Sequence, residues 1–90
     1  MTSNNDGFYV MAFHSVSHSI QTEKSAREIF NFTVVPTPRE LANDCGIAIK
    51  FNNCDFTEIE AFHGLLKIPA DVYFITNERI NGKREVKKLL

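Results

Sequence analysis

The chain has 90 residues, of which 43% are hydrophobic, and a formal net charge of −1. This length suffices for one hydrophobic core but not for two, so we expect a single domain over residues 1–90. No apolar run reaches the roughly 18 residues of a membrane span. The polar first six residues do not resemble a secretory signal. We therefore expect a cytoplasmic protein with free thiols.

Charge is distributed unevenly along the chain. Residues 1–78 contain five basic and ten acidic side chains, whereas residues 79–90 contain five basic and one acidic. Segment 77–90 is therefore a basic tail on an acidic body, and such a tail can attract an anionic partner. Nucleic acid is not expected, because the sequence has no RNA-binding aromatic motif and no basic recognition helix.

The first predicted elements are a strand and a helix. Residues 8–13 are continuously apolar, which predicts a strand buried on both faces. Ser15 and Ser17 are candidate caps for the helix that follows. Its apolar residues recur at helical spacing: Val16, Ile20, Ala26 and Phe30. Glu23 lies on the same stripe, so we expect it to bond to Arg39 or to a backbone donor, or to reach water from the edge of the stripe.

The connector between strands two and three has its own helix signal. Thr37 is a preferred N-cap, Pro38 suits the first helical position, and Glu40 is placed where its carboxylate reaches back to the cap. These residues predict a short helix from Pro38 to about residue 44. Gly46 is expected to end it in the left-handed conformation.

Three more strands and a second main helix complete the core, which spans about residues 8–76. The strands are predicted at residues 32–35, where Pro36 stops the strand, at 47–51 and at 72–76. Asp55 and Glu58 repeat the capping pattern at the start of the helix. The inner face of this helix is predicted to consist of Phe56, Ile59, Phe62 and Leu66.

The tail admits two structures. Asn81-Gly82 is a good two-residue turn, so residues 78–80 and 84–88 are predicted to pair as a hairpin. A final helical turn over residues 84–90, with Val86 and Leu90 facing inward, is the alternative.

The order of elements predicts an α+β fold of the ferredoxin-like split βαβ type. It would contain a four-stranded antiparallel sheet in the order 4-1-3-2, with two helices on one face and a short helix between strands two and three. This topology brings one set of polar residues to a single edge of the sheet: His14, Ser15, Ser17, His18, Arg39 and Cys45.

Cys45 is the candidate for chemistry at this edge. The positive end of the first helix favours its thiolate, whereas Asp44 and the end of the short helix oppose it. Cys54 follows strand three, whose length separates the two cysteines by more than the ~7 Å that a disulfide spans. It is interpreted as a small loop or core residue, and His63 as a surface histidine. A metal or other cofactor is not expected. The potential ligands include no Cys-x-x-Cys pair and no two residues at a fixed helical spacing.

The motif Pro36-Thr37-Pro38-Arg39-Glu40-Leu41, followed closely by Cys45-Gly46, resembles a selenium/sulfur carrier-like family of small prokaryotic proteins. The resemblance covers about residues 8–76. It implies that Cys45 holds sulfur or selenium as a persulfide or perselenide, and that Arg39 holds the loop or the transferred anion. It also implies a cysteine desulfurase-like donor and an acceptor protein as partners.

A carrier needs an exposed thiol and no acid–base pair of its own, so we expect a protein without turnover rather than an enzyme. The competing interpretations are an inert buried thiol and a non-catalytic module of ferredoxin-like fold, which binds a partner or ligand through the same edge or through its sheet. The absence of a complete catalytic constellation and the basic tail favour the module.

Overall fold

The computed structural model describes residues 7–39, 41, 46–80 and 82–90. These residues form five strands and two helices, which follow one another in the order β1, α1, β2, β3, α2, β4, β5. Their bounds are Gly7–Phe13 for β1, Val16–Ala26 for α1, Phe32–Pro36 for β2, Ile47–Phe51 for β3, Phe56–Leu65 for α2, Ala70–Ile80 for β4 and Lys83–Lys88 for β5.

The strands form one antiparallel sheet in the order β2-β3-β1-β4-β5. The predicted ferredoxin-like fold with a four-stranded 4-1-3-2 sheet is therefore wrong, although the class remains α+β. The difference lies in the tail, which forms β5 and pairs with β4 at the edge of the sheet. A strand rich in Lys and Arg is tolerated there because an edge strand keeps its charged side chains in water.

The hairpin is the structure that the tail adopts. Ile80 pairs with Lys83, which leaves two residues for the turn. Gly82 has φ of 80°, a left-handed conformation that glycine adopts without steric cost. Asn81, the other predicted turn residue, lies outside the described residues.

The helix face of the sheet carries the larger hydrophobic core. Residues of β1, β3 and β4 pack there against residues of both helices and of the segment after α1, and together they form one cluster: Met11, Phe13, Ala26, Phe30, Ile49, Phe51, Ile59, Phe62, Ala70 and Val72. As predicted, the inner face of α2 contributes buried Ile59 and Phe62, with Phe56 and Leu66 packed beside them. Glu58 accepts a bond from the Asp55 N–H at 3.4 Å, so the predicted start of α2 is also confirmed.

The inner face of α1 differs from the prediction. Val16 and Ile20 are about half exposed, whereas Ser19 and Thr22 are buried. The other two residues of the predicted stripe, Ala26 and Phe30, are buried as expected. The hydroxyls of the two polar residues donate to carbonyls of their own helix, Ser19 to Val16 at 2.7 Å and Thr22 to His18 at 2.9 Å. Because those hydroxyls are satisfied within the helix, their burial against the sheet costs little.

The second face of the sheet, opposite the helices, has a smaller core. It consists of Val10, Ala12, Ala48 and Ile75, covered by Leu41 from the connector. Val10 and Ala12 are fully buried on this face while Met11 and Phe13 are buried on the other. The prediction that the first strand is buried on both faces is therefore confirmed.

Candidate functional site

The start of α1 brings together three of the predicted site residues. Ser15 is the N-cap, and its Oγ accepts a hydrogen bond of 3.3 Å from the main-chain N–H of His18. The Ser17 hydroxyl lies 3.3 Å from the Ser15 hydroxyl. The His18 ring is half-buried, and its Nδ1 has no hydrogen-bond partner among the described residues. Ser15 is thus the cap that stabilises the start of the helix, and Ser17 contacts it.

His14 lies at the end of β1 and is directed towards β4. Its Nε2 lies 3.4 Å from a carboxylate oxygen of Asp71, whose other oxygen lies 3.6 Å from the ammonium of Lys88. Asp71 pairs with Ala12 across the sheet, so this contact lies on the second face. The partner of His14 is therefore a strand carboxylate that the sequence did not indicate.

The connector is attached to the sheet at its ends and in its middle. The Thr37 N–H donates to the carbonyl oxygen of Gly46 at 3.1 Å, and the Leu41 N–H donates to that of Pro38 at the same distance. Leu41 is only 6% exposed, since it packs on the second face. Because Ala12 pairs with Ala48, the start of β3 lies beside the end of β1.

Two connector residues, Pro38 and Gly46, do not have the conformations predicted for them in the short helix. Pro38 is not helical, and Arg39 lies in a turn. Gly46 does not have the left-handed conformation predicted for it, because positive φ occurs in the described residues only at Asn53 and Gly82. Glu40 and Cys45 lie outside the described residues, as do residues 42–44.

Arg39 and Glu23 do not form the bond that the sequence suggested. Arg39 is exposed, and no hydrogen bond or ion pair joins it to another described residue. Glu23 forms an ion pair with Arg27, one helical turn further along α1. Arg39 is therefore not the partner of Glu23, and an i,i+4 pair within α1 satisfies the carboxylate instead.

Cys54 is held in the turn between β3 and α2. Its Sγ donates to the carbonyl oxygen of Asn52 at 3.3 Å and lies 3.7 Å from that of Asn31. Burial raises the pKa of the Cys54 thiol above its ordinary value, and the nearby carboxylate of Glu58 adds to the increase. Cys54 is thus a protonated, structural thiol, as its sequence position suggested.

A cleft of 230 Å³ lies at this end of the sheet, opposite to the end at which His14 and Gly46 lie. It is lined by aromatic and polar residues: Gly7, Phe8, Tyr9, Lys50, Phe51, Asn52, Asn53, Cys54, Phe74 and Asn77. The sequence did not indicate this cleft, because its lining comes from three strands and one turn. The run of Asn52, Asn53 and Cys54 after a predicted strand was the available signal.

His63 is not the surface histidine that its position in α2 suggested. Its ring is half-buried, and its Nε2 lies 2.8 Å from the carbonyl oxygen of Ala70. A carbonyl accepts only, so Nε2 carries the hydrogen and ties α2 to the start of β4.

The described part of the chain has neither a metal-binding cluster nor a membrane-spanning helix. No group of three or more His, Cys, Asp or Glu side chains among those residues is arranged to hold a metal ion. No described helix has both the length and the apolar character that crossing a membrane would require.

Fold and connector together define an α+β protein with two helices on one face of a five-stranded sheet and a loop anchored on the other. The profile of the family described as "Putative Se/S carrier protein-like" matches residues 8–70. This match covers more than half of the chain, so the chain belongs to that family. The predicted family is confirmed, and the matched segment includes both cysteines. Neither a curated protein nor a solved structure matches the chain.

Proposed function

We propose that this protein carries sulfur or selenium on Cys45 as a persulfide or perselenide. The observation that supports the proposal is membership of the Se/S carrier-like family across residues 8–70. Within that segment lies the sequence Cys45-Gly46, preceded by the Pro36-Thr37-Pro38-Arg39 motif. Pro36 ends β2 and Gly46 directly precedes β3, so the motif connects two neighbouring strands.

The properties of Cys54 favour Cys45 as the carrier. Sulfur transfer requires a thiolate that is accessible to the donor. The Cys54 thiol donates to a main-chain carbonyl, and burial raises its pKa. Both features disfavour the thiolate of Cys54, so we assign the carrier role to Cys45.

The proposed reaction is an exchange of one sulfur atom without net oxidation. The Cys45 thiolate attacks the terminal sulfur of a persulfide on the donor protein, and a new S–S bond forms. The bond between that sulfur and the donor cysteine breaks, and the donor cysteine leaves as a thiolate. A nucleophile of the acceptor later attacks the same terminal sulfur and releases the Cys45 thiolate.

Arg39 is the binding residue that we retain for this reaction. Its guanidinium is exposed and joined to no other described residue, so it is available to an anionic sulfur or selenium species. By contrast, Ser15 already caps α1 and His14 already contacts Asp71. These existing contacts favour structural roles for them over sulfur binding.

Intact mass measurement tests the proposal. The reduced protein is incubated with a cysteine desulfurase and cysteine, and one added sulfur increases its mass by about 32 Da. We expect this adduct in the wild type and in Cys54→Ser, its removal by reductant, and its absence in Cys45→Ser. An adduct that survives in Cys45→Ser, or a wild type that stays unmodified while a known carrier is loaded, would contradict the proposal.

A further inference from the structure

Two cations lie over one aromatic ring on the second face of the sheet. The ammonium of Lys50 is 4.7 Å from the centre of the Phe8 ring, and the guanidinium carbon of Arg84 is 5.5 Å from it. The two charges therefore lie within about 10 Å of each other, although their residues belong to β3 and β5. The ring stabilises both positions through its negative π face.

Lys88 extends this group of charges along β5. It is two positions beyond Val86, which packs on the second face, and its ammonium contacts Asp71. We name the surface formed by Phe8, Lys50, Arg84 and Lys88 the basic strip. Two of its three cations come from the basic tail, so the hairpin places charge from the end of the chain on the second face of the sheet.

The helical layer has a different charge. Five acidic residues lie in α1 and α2 or directly beside them: Glu23, Glu28, Asp55, Glu58 and Glu60. They outnumber the three basic ones there, Lys24, Arg27 and Lys67. The basic strip lies on the opposite side of the sheet from them. A negatively charged partner would therefore be attracted to the second face and repelled from much of the helical layer.

The connector that contains Cys45 is anchored on the same face. Leu41 packs there against Val10, Ala12, Ala48 and Ile75. Val10 pairs with Lys50, so the apolar anchor and the basic strip lie on adjoining positions of the sheet. A protein bound to the second face would contact both.

We propose that the basic strip docks an acidic surface of a partner protein. That this partner gives sulfur to Cys45 rests on the proposed function. Carboxylates are favoured over nucleic acid because Lys50 and Arg84 already lie against the Phe8 ring, which would otherwise stack a base. The Asp71 carboxylate next to Lys88 would also oppose a continuous phosphate backbone.

Binding of a defined acidic probe tests the strip independently of any cysteine chemistry. Poly-L-glutamate is titrated into the full chain, and amide shifts are followed by NMR. We expect shifts on β1, β3 and β5, and affinity at least about tenfold weaker in Lys50→Glu/Arg84→Glu, because two attractive charge contacts become repulsive. The control Lys24→Glu/Lys67→Glu makes the same charge change at exposed positions away from the strip and should bind within about twofold of the wild type.

The proposal is overturned if the two double variants bind poly-L-glutamate equally, or if a single-stranded thymidine oligonucleotide binds more tightly than poly-L-glutamate. The neutral Lys50→Gln replaces the double variant if charge reversal prevents folding, and it should still weaken binding whereas Lys24→Gln does not. Unchanged binding in Lys50→Gln overturns the proposal in the same way.

Sulfur loading from the cysteine desulfurase is measured in parallel on the same variants. Slower loading in Lys50→Glu/Arg84→Glu but not in the control supports the donor as the partner. Equal loading in a variant that has lost poly-L-glutamate binding overturns that assignment. A wild type that is never loaded contradicts the proposed function alone, and the titration then decides whether the strip binds acidic surfaces.

Discussion

The main-chain N–H of Thr37 donates a hydrogen bond of 3.1 Å to the carbonyl oxygen of Gly46, and this bond closes the connector that includes Cys45. The ends of the connector are therefore fixed by the neighbouring strands β2 and β3. Leu41 adds an attachment inside the closed segment, since its side chain is buried on the second face. Both attachments reduce the number of conformations that are open to the connector. A donor protein that binds the connector therefore has to restrict it less.

The first prediction concerns this attachment. Leu41→Ala should lower the free energy of unfolding by about 2–4 kcal/mol, because a side chain that is 6% exposed is removed from a packed cluster. The matched control is Leu65→Ala, at a residue that is 80% exposed, and it should change stability by less than about 0.5 kcal/mol. Urea unfolding measures both, and equal effects would show that Leu41 is not an anchor.

The second prediction concerns Gly7, where β1 lies close to the main chain of β4. A Cβ at Gly7 would lie 2.3 Å from the carbonyl oxygen of Ile75, which is closer than such atoms can approach. Gly7→Ala should therefore cost roughly 1–3 kcal/mol of stability, because a main-chain carbonyl has to move. Gly64→Ala, in α2 where nothing beyond the adjacent helix backbone lies within 4 Å of the added carbon, should be neutral or stabilise by up to about 1 kcal/mol.

Thermal unfolding of the two glycine variants gives the comparison. A Gly7→Ala protein that is as stable as Gly64→Ala would mean that the strands separate there without cost.

The third prediction concerns pH and the Cys54 thiol. Burial raises its pKa above the ordinary value of 9.0, so its thiolate should form at higher pH in the folded chain than in the unfolded chain. The thiol thus contributes stability that is complete below pH 9.0 and is lost as pH rises through the folded pKa. Iodoacetamide alkylation of Cys45→Ser across a pH series, with and without guanidinium chloride, measures both titrations.

An alkylation midpoint for folded Cys54 at or below that of the denatured chain would contradict this prediction. It would also remove the argument that Cys54 is the poorer nucleophile.

The fourth prediction concerns Tyr73 beside the basic strip. Burial, followed by the charge of Asp71, raises the pKa of the Tyr73 phenol above 10.0, whereas Lys88 acts in the opposite direction. Lys88→Ala should therefore raise the pKa of Tyr73 further, because the cation that stabilises the tyrosinate is lost. Ultraviolet titration of the phenol in a Tyr9→Phe background isolates this group. A pKa of Tyr73 that is unchanged or lower in Lys88→Ala would contradict this prediction.

Several elements were predictable because their signal is local. The inner face of α2 follows from large apolar residues at helical spacing, with Ile59 and Phe62 buried as expected. The hairpin follows from Asn81-Gly82, since a two-residue turn determines the pairing of the strands on either side. For α1, hydrophobicity indicated Val16 and Ile20, whereas small hydroxyl side chains satisfied within the helix are the ones that face the sheet.

Local patterns in the sequence were enough to predict the family, the strands up to β4, the hairpin that follows β4 and the start of α2. Packing across the whole sheet is what places Leu41 over the second face and brings Lys50 and Arg84 together at Phe8. The physical reason is that local periodicity specifies which side of its own strand a residue occupies. Which residues from β1, β3 and β5 become neighbours depends instead on strand order and register, which are set by the packing of the whole sheet.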